Sequence, residues 1–201
     1  QNLQVLAKFL YNPRFRSVRG NHDQFMIGGD YANWMYNGGS WAMNDLDTDT
    51  IKGIAADMAE KLPVFMTVLH RGKKYGVVHG GVPFQYKDNG NDVHTPNWDT
   101  IIQTIEASKL DKNDHPAYYI EPYLWDRDVI QEIGFNLARQ GATDEYFQRY
   151  ASFKAELVME VPPVDGVDFV FHGHTGVPYP ILYQNRVYLD TGGVFNGRLT
   201  V

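Results

Sequence analysis

Apolar residues at helical spacing open the chain. Leu3, Leu6, Ala7 and Leu10 recur three to four positions apart up to Asn12-Pro13, which predicts a helix stopped by proline. Phe15-Arg16-Ser17-Val18 then reads as a short strand ending at Gly20. A helix feeding a strand is half of a βαβ crossover, so a partner strand is expected before Gln1. The aromatic, glycine-rich stretch through Asn33-Trp34 and Asn37-Gly38-Gly39-Ser40-Trp41 has no sustained period and reads as helix then loop. Ile51, Ile54, Ala55, Met58 and Leu62 form the apolar face of a helix that Pro63 ends. Val64 to His70 and Lys74 to His79 flank Arg71-Gly72-Lys73 as a β-hairpin, and Pro83 to Pro96, rich in Asn, Asp, Gly and Pro, reads as loop.

From Trp98 to Glu160 the pattern is helical. Trp98, Ile101, Ile102 and Ile105 share one face, and Tyr146, Phe147, Tyr150, Phe153 and Leu157 share another, which predicts a helical insertion over 97–160. Alternation resumes at Val167 to His172, Ile181 to Tyr183, Val187 to Asp190 and Val194 to Val201, with Gln184-Asn185-Arg186 as a tight turn. The order moves from α/β to α+β.

Composition narrows the functional classes. A length of 201 residues fits one domain, and 43% hydrophobic against 21% charged residues excludes a wholly disordered chain. The net charge of −6 comes with no long basic run, so nucleic acid is not an expected partner. With no cysteine, any metal must be held by nitrogen and oxygen. No apolar run approaches the ~20 residues of a membrane span, and no signal pattern opens the chain, so a cytoplasmic protein without a membrane partner is expected.

Three short motifs stand where a predicted strand gives way to a loop: Gly20-Asn21-His22-Asp23, His79-Gly80-Gly81 and Gly173-His174-Thr175-Gly176. Strand ends are rigid and the loops after them can be shaped to a ligand, which makes them the usual seat of a site in layered α/β proteins. Each motif alone is also a good turn signal, because Gly, Asn and Asp dominate turns. His172 and His174, two apart on an extended segment, suit either a metal pair or a buried structural pair. Taken together and in this order, the three motifs point to chemistry.

These residues, with Arg19-Gly20-Asn21-His22-Asp23-Gln24, Trp34, Asn37-Gly38-Gly39-Ser40-Trp41, Trp125-Asp126-Arg127 and Tyr188-Leu189-Asp190-Thr191-Gly192-Gly193-Val194-Phe195, resemble the calcineurin-type metallophosphoesterases, in particular the phosphoprotein phosphatase branch of phage-lambda type. The resemblance covers most of the chain except about Gln85 to Tyr123 and Glu132 to Pro163. It implies a mixed β-sandwich flanked by helices, with a two-metal site at the strand ends. The family pattern also has an upstream Asp-x-His and a Gly-Asp-x-x-Asp-Arg-Gly, which this sequence lacks. The expectation is therefore a single domain over 1–201 without its N-terminal βαβ portion, a gap on the order of 30–60 residues.

By the same resemblance Asn21, His79 and His174 hold the second of two divalent metals, manganese being the expected ion and iron or zinc the alternatives. His22 is then the general acid for the leaving oxygen, and Arg127 grips the phosphate. Asp23 and Asp190 suit either acceptors for ligand histidines or turn roles. Gly176, where many relatives carry another histidine, follows the protein-phosphatase branch. The implied activity is metal-dependent hydrolysis of phosphoserine and phosphothreonine in a phosphoprotein or phosphopeptide, by direct attack of an activated water without a phosphoenzyme. The rivals are a symmetrical dinucleoside tetraphosphate hydrolase and, because the upstream ligands are missing, a non-catalytic fragment or binding module.

Overall fold

A computed structural model describes residues 2–83, 85–86, 93–108, 116–139, 161–197 and 199–200. The chain divides into two compact units, 1–66 and 67–201.

The first unit is helical. Helix α1 (Asn2–Tyr11) ends before Pro13, and α5 (Thr48–Lys61) starts at Asp47, whose carboxylate caps the Thr50 N–H, and stops before Pro63. Both follow the apolar period. Between them lie α2 (Asn21–Ile27), α3 (Tyr31–Trp34), a π-turn at Met35–Gly39 and α4 (Ser40–Asp45). Leu10, Met26, Trp34, Ala42, Ile51, Ala55, Met58 and Leu62 form one buried core. The helix-then-loop reading holds at Asn37 and Gly38, where the backbone leaves helical geometry and Gly38 takes φ +98°, and helix resumes at Ser40, so the middle is two short helices across a kink. A Cβ at Gly39 would stand 2.5 Å from the Trp34 indole, so the glycines that looked like loop signals let the chain fold over that ring.

Phe15 to Val18 is no strand. Among the described residues it joins no ladder, although Arg19 N–H beyond it is held by the Pro63 carbonyl at 2.8 Å. β-propensity without a neighbouring strand does not make a sheet.

In the second unit a five-stranded mixed sheet has the order β1-β2-β5-β7-β6. Strands β1 (Phe65–His70) and β2 (Lys73–Val78) form the predicted hairpin, and Arg71 and Gly72 both take positive φ in its turn. Strand β2 runs parallel to β5 (Phe169–His172), and β5 parallel to β7 (Arg186–Tyr188). Strand β6 (Ile181–Tyr183) lies antiparallel to β7 at the edge, joined through Gln184, also at positive φ. The expected α+β class with a mixed sheet is what the chain adopts.

Two strand readings change. Gln85–Tyr86 (β3) and Val93–His94 (β4) form a short antiparallel ribbon inside the segment read as loop; two residue pairs are too few to leave a period. The described residues between Val194 and Val201 form no strand. Gly192 and Gly197, both left-handed, bracket a single helical turn at Gly193–Asn196 (α9), and Val194 and Phe195 are almost fully exposed.

Helices α6 (Trp98–Ser108), α7 (Pro116–Trp125) and α8 (Asp128–Arg139) occupy the predicted helical region. The apolar face read from Tyr146 to Leu157 lies outside the described residues. Trp98 is fully buried and donates Nε1–H to Thr67 Oγ1 at 2.9 Å. The buried face of the sheet carries Val78, Val170, His172, Tyr183, Arg186 and Tyr188, so period-2 alternation places one arginine and one histidine inside.

Candidate functional site

Parallel register builds the site. Val78 pairs with His172 on β2 and β5, so the residues that follow each strand leave the sheet at the same edge. His79 is the first residue past β2 and His174 the second past β5. Their rings lie 5.0 Å apart between centroids, and Gly173 N–H donates to the His79 carbonyl at 2.9 Å, tying the two exits together. This is the carboxyl edge of a parallel sheet, where α/β proteins bind ligands.

His174 sits at φ +65° in the middle of a three-residue turn closed by Thr175 N–H on the Gly173 carbonyl at 2.7 Å. A γ-turn of this hand is rare and strained for a side chain with a Cβ.

His172 is a different kind of residue. It is 2% exposed, its Nδ1 lies 2.9 Å from the Gly80 carbonyl, and its ring stacks on Tyr188 at 4.8 Å. Burial, and next the charge of Arg186, push its pKa down to about 3 against the pull of the Gly80 carbonyl. It is therefore neutral, and Nδ1 is the donor. Of the open alternatives for His172, the structural role is the one its surroundings fit.

The glycines after His79 serve packing. A Cβ on Gly80 would meet the Tyr123 carbonyl at 2.7 Å, and one on Gly81 would meet Asp126 Oδ2 at 1.7 Å. The strand-end loop is thus pressed against the Trp125-Asp126-Arg127 turn, and Gly80 N–H is bonded to the Tyr123 carbonyl at 2.9 Å. That contact brings Trp125 edge-on to His174, 5.5 Å between centroids at 90°. Trp125, Asp126 and Arg127, with Pro83, Pro122, Asp128 and Gln131, line an open cleft of ≈ 450 Å³. The histidine pair is not among its lining residues; Trp125 connects the two.

Asn21 and His22 belong to the first unit. Both lie in the first turn of α2 instead of a strand-end turn. Asn21 is buried; His22 is exposed and stacks on Phe25 at 5.9 Å. Asp23 accepts the Gly20 N–H at 2.8 Å, and Asp190 accepts the Gly192 N–H at 2.9 Å. Each of these carboxylates shapes its own turn.

Asp126 was not singled out by sequence. Desolvation, then repulsion from Asp128, raises its pKa from 3.8 to about 6, while the Asp128 N–H and the Arg186 charge pull the other way. A folded-state pKa above the unfolded one gives stability that is full below about pH 4 and lost as the pH rises through about 6. Wild type should therefore lose unfolding free energy relative to Asp126→Asn between pH 4 and 6.5, measured by urea denaturation. A constant difference over that range would contradict the burial of this anion.

Among the described residues no three His, Asp or Glu side chains gather closely enough to hold a metal by themselves. The donors the second unit offers are two imidazoles, a set that suits zinc, iron or manganese when an oxygen ligand joins it. No helix of the described residues is long and apolar enough to cross a membrane.

The family model described as calcineurin-like phosphoesterase matches residues 2–178. The chain is 24% identical over 206 residues to serine/threonine-protein phosphatase 2 of Salmonella typhimurium (strain LT2), and 24% identical over 207 residues to serine/threonine-protein phosphatase 2 of Escherichia coli (strain K12). Each alignment covers 100% of this chain and 72% of the relative.

Proposed function

The chain belongs to the calcineurin-like phosphoesterase family, and we propose that within it the protein is a metal-dependent phosphatase acting on phosphoserine and phosphothreonine of proteins. The observation that carries this reading is the pairing of His79 and His174 at one sheet edge, with Trp125 linking them to the cleft that Arg127 lines. The serine/threonine phosphatases similar to this chain support the substrate class.

In this reading His79 and His174 hold a divalent metal through neutral imidazole nitrogens, and the resemblance also assigns Asn21, in the first unit, a ligand role. Divalent ions at such a site activate water and neutralise phosphoryl charge. Arg127 grips two phosphoryl oxygens with its guanidinium and orients the ester in the cleft. His22 holds the proton that the departing serine or threonine oxygen needs. Manganese is the ion we expect, and the cytoplasm the compartment.

A direct test compares substrates on the full-length protein supplied with manganese. Phosphate release from a phosphoserine peptide should exceed hydrolysis of a symmetrical dinucleoside tetraphosphate in kcat/KM. The reverse order would assign the site to the dinucleotide, and no turnover of either would leave a binding module.

A further inference from the structure

Arg127 and Asp128 are adjacent, opposite in charge, and both line the cleft of ≈ 450 Å³. Among the described residues neither side chain enters an ion pair, with the other or with a third group. Arg127 is half-buried and Asp128 exposed. The cleft therefore presents a cation and an anion side by side, and neither is neutralised by the fold.

Helix α8 places them. The Gln131 N–H donates to the Arg127 carbonyl at 2.8 Å, so the first helical turn begins there and sets Asp128 and Gln131 three positions apart, neighbours on the helix surface. The other carboxylate of the lining, Asp126, is taken up by the fold: its Oδ2 fills the space over Gly81, and it accepts the Asp128 N–H. Asp128 is the carboxylate left to meet a ligand.

The phosphatase reading uses Arg127 and leaves Asp128 without a task. A carboxylate one residue from the guanidinium that grips the phosphate repels further negative charge and attracts positive charge. The two Cα atoms are about 3.8 Å apart, and residues two apart on an extended peptide present their side chains on one face about 7 Å apart. A phosphoserine held at Arg127 thus brings a basic side chain one or two positions away within reach of Asp128. Trp125 and Pro122 add exposed apolar surface beside the charges, which suits the aliphatic stem of such a side chain.

We propose that Asp128 is a specificity-determining residue of the cleft, selecting phosphopeptides with lysine or arginine within two positions of the phosphorylated serine or threonine and disfavouring acidic neighbours. The inference rests on the phosphatase reading above and narrows it to a substrate class.

The test uses the full-length, manganese-supplied protein and phosphoserine peptides that differ only in carrying lysine, alanine or glutamate two positions before and two positions after the phosphoserine. At low salt kcat/KM should favour the lysine peptide over the glutamate peptide about fivefold, the scale of one exposed charge pair. Asparagine keeps the shape of Asp128 and removes its charge, so Asp128→Asn should bring that ratio below about twofold, and Asp128→Lys should reverse it. Raising the salt toward about 1 M, where the Debye length is about 3 Å, should shrink the wild-type ratio in the same way. Should Asp128→Lys not fold, Asp128→Asn and the salt series carry the test.

Equal kcat/KM for the three peptides in a wild type that hydrolyses an aryl phosphate would overturn this proposal alone. So would a lysine preference that survives in Asp128→Asn. Failure of the wild type to release phosphate from the peptides and from the aryl phosphate would instead overturn the phosphatase reading, and this inference with it, which separates the two failures.

Discussion

Replacing His174 with alanine is expected to lower phosphatase turnover by well over 10²-fold, beyond the ~10–100-fold typical for losing a residue that merely supports a metal ligand. The reason is local. His174 is held at φ +65° in a strained turn, its ring 5.0 Å from that of His79, and the fold maintains this arrangement where an unstrained residue would serve a purely structural purpose. No neighbour can substitute for it. His172, two residues earlier, is inside the sheet with Nδ1 committed to the Gly80 carbonyl. The variant should also lose manganese, read by metal analysis after gel filtration, while keeping its thermal midpoint within a few degrees, because His174 follows β5 instead of lying in its ladder. Retained metal together with retained turnover would remove His174 from the site.

Exchange of His22 for asparagine should separate substrates by their leaving groups. Removing a general acid typically costs 10²–10⁴-fold, and that cost falls on reactions whose leaving oxygen must be protonated. A phosphoserine peptide expels an alkoxide and should show the full loss. An activated aryl phosphate expels a stabilised phenolate and should lose far less. His22 is exposed and stacks only at 5.9 Å on Phe25, so its replacement leaves the buried core of the first unit in place. Equal losses on both substrates, measured where chemistry limits the rate, would reduce His22 to a residue of the α2 first turn.

The periodic elements were legible in the sequence because burial imposes their pattern. The apolar face from Ile51 to Leu62 is the buried face of α5, and the alternation before His172 and around Val187 became β5 and β7. Irregular backbone was not legible. Gly38 does break the helix at φ +98°, but the helices resume on either side of it, with Gly39 packed on Trp34, and the exposed turn at Val194–Phe195 imitated a strand through its β-branched and aromatic residues alone. In the site, the histidine motifs were visible because glycine and imidazole at a strand end form a local signal. What the motif did not reveal is that its glycines make room for the neighbouring turn, Gly80 against the Tyr123 and Leu124 backbone and Gly81 against Asp126. Arg186, read as the last residue of a turn, is the first residue of β7 and is fully buried, because the strand starts one position earlier than the alternation suggested.

The most direct test of the account is anomalous scattering at the manganese edge from crystals of the full-length protein, wild type and His174→Ala. In the wild type a peak should lie about 2.0–2.2 Å from an imidazole nitrogen of both His79 and His174, and in the variant that peak should vanish. Manganese bound elsewhere, or a peak unchanged by the loss of His174, would contradict a metal centre at this sheet edge.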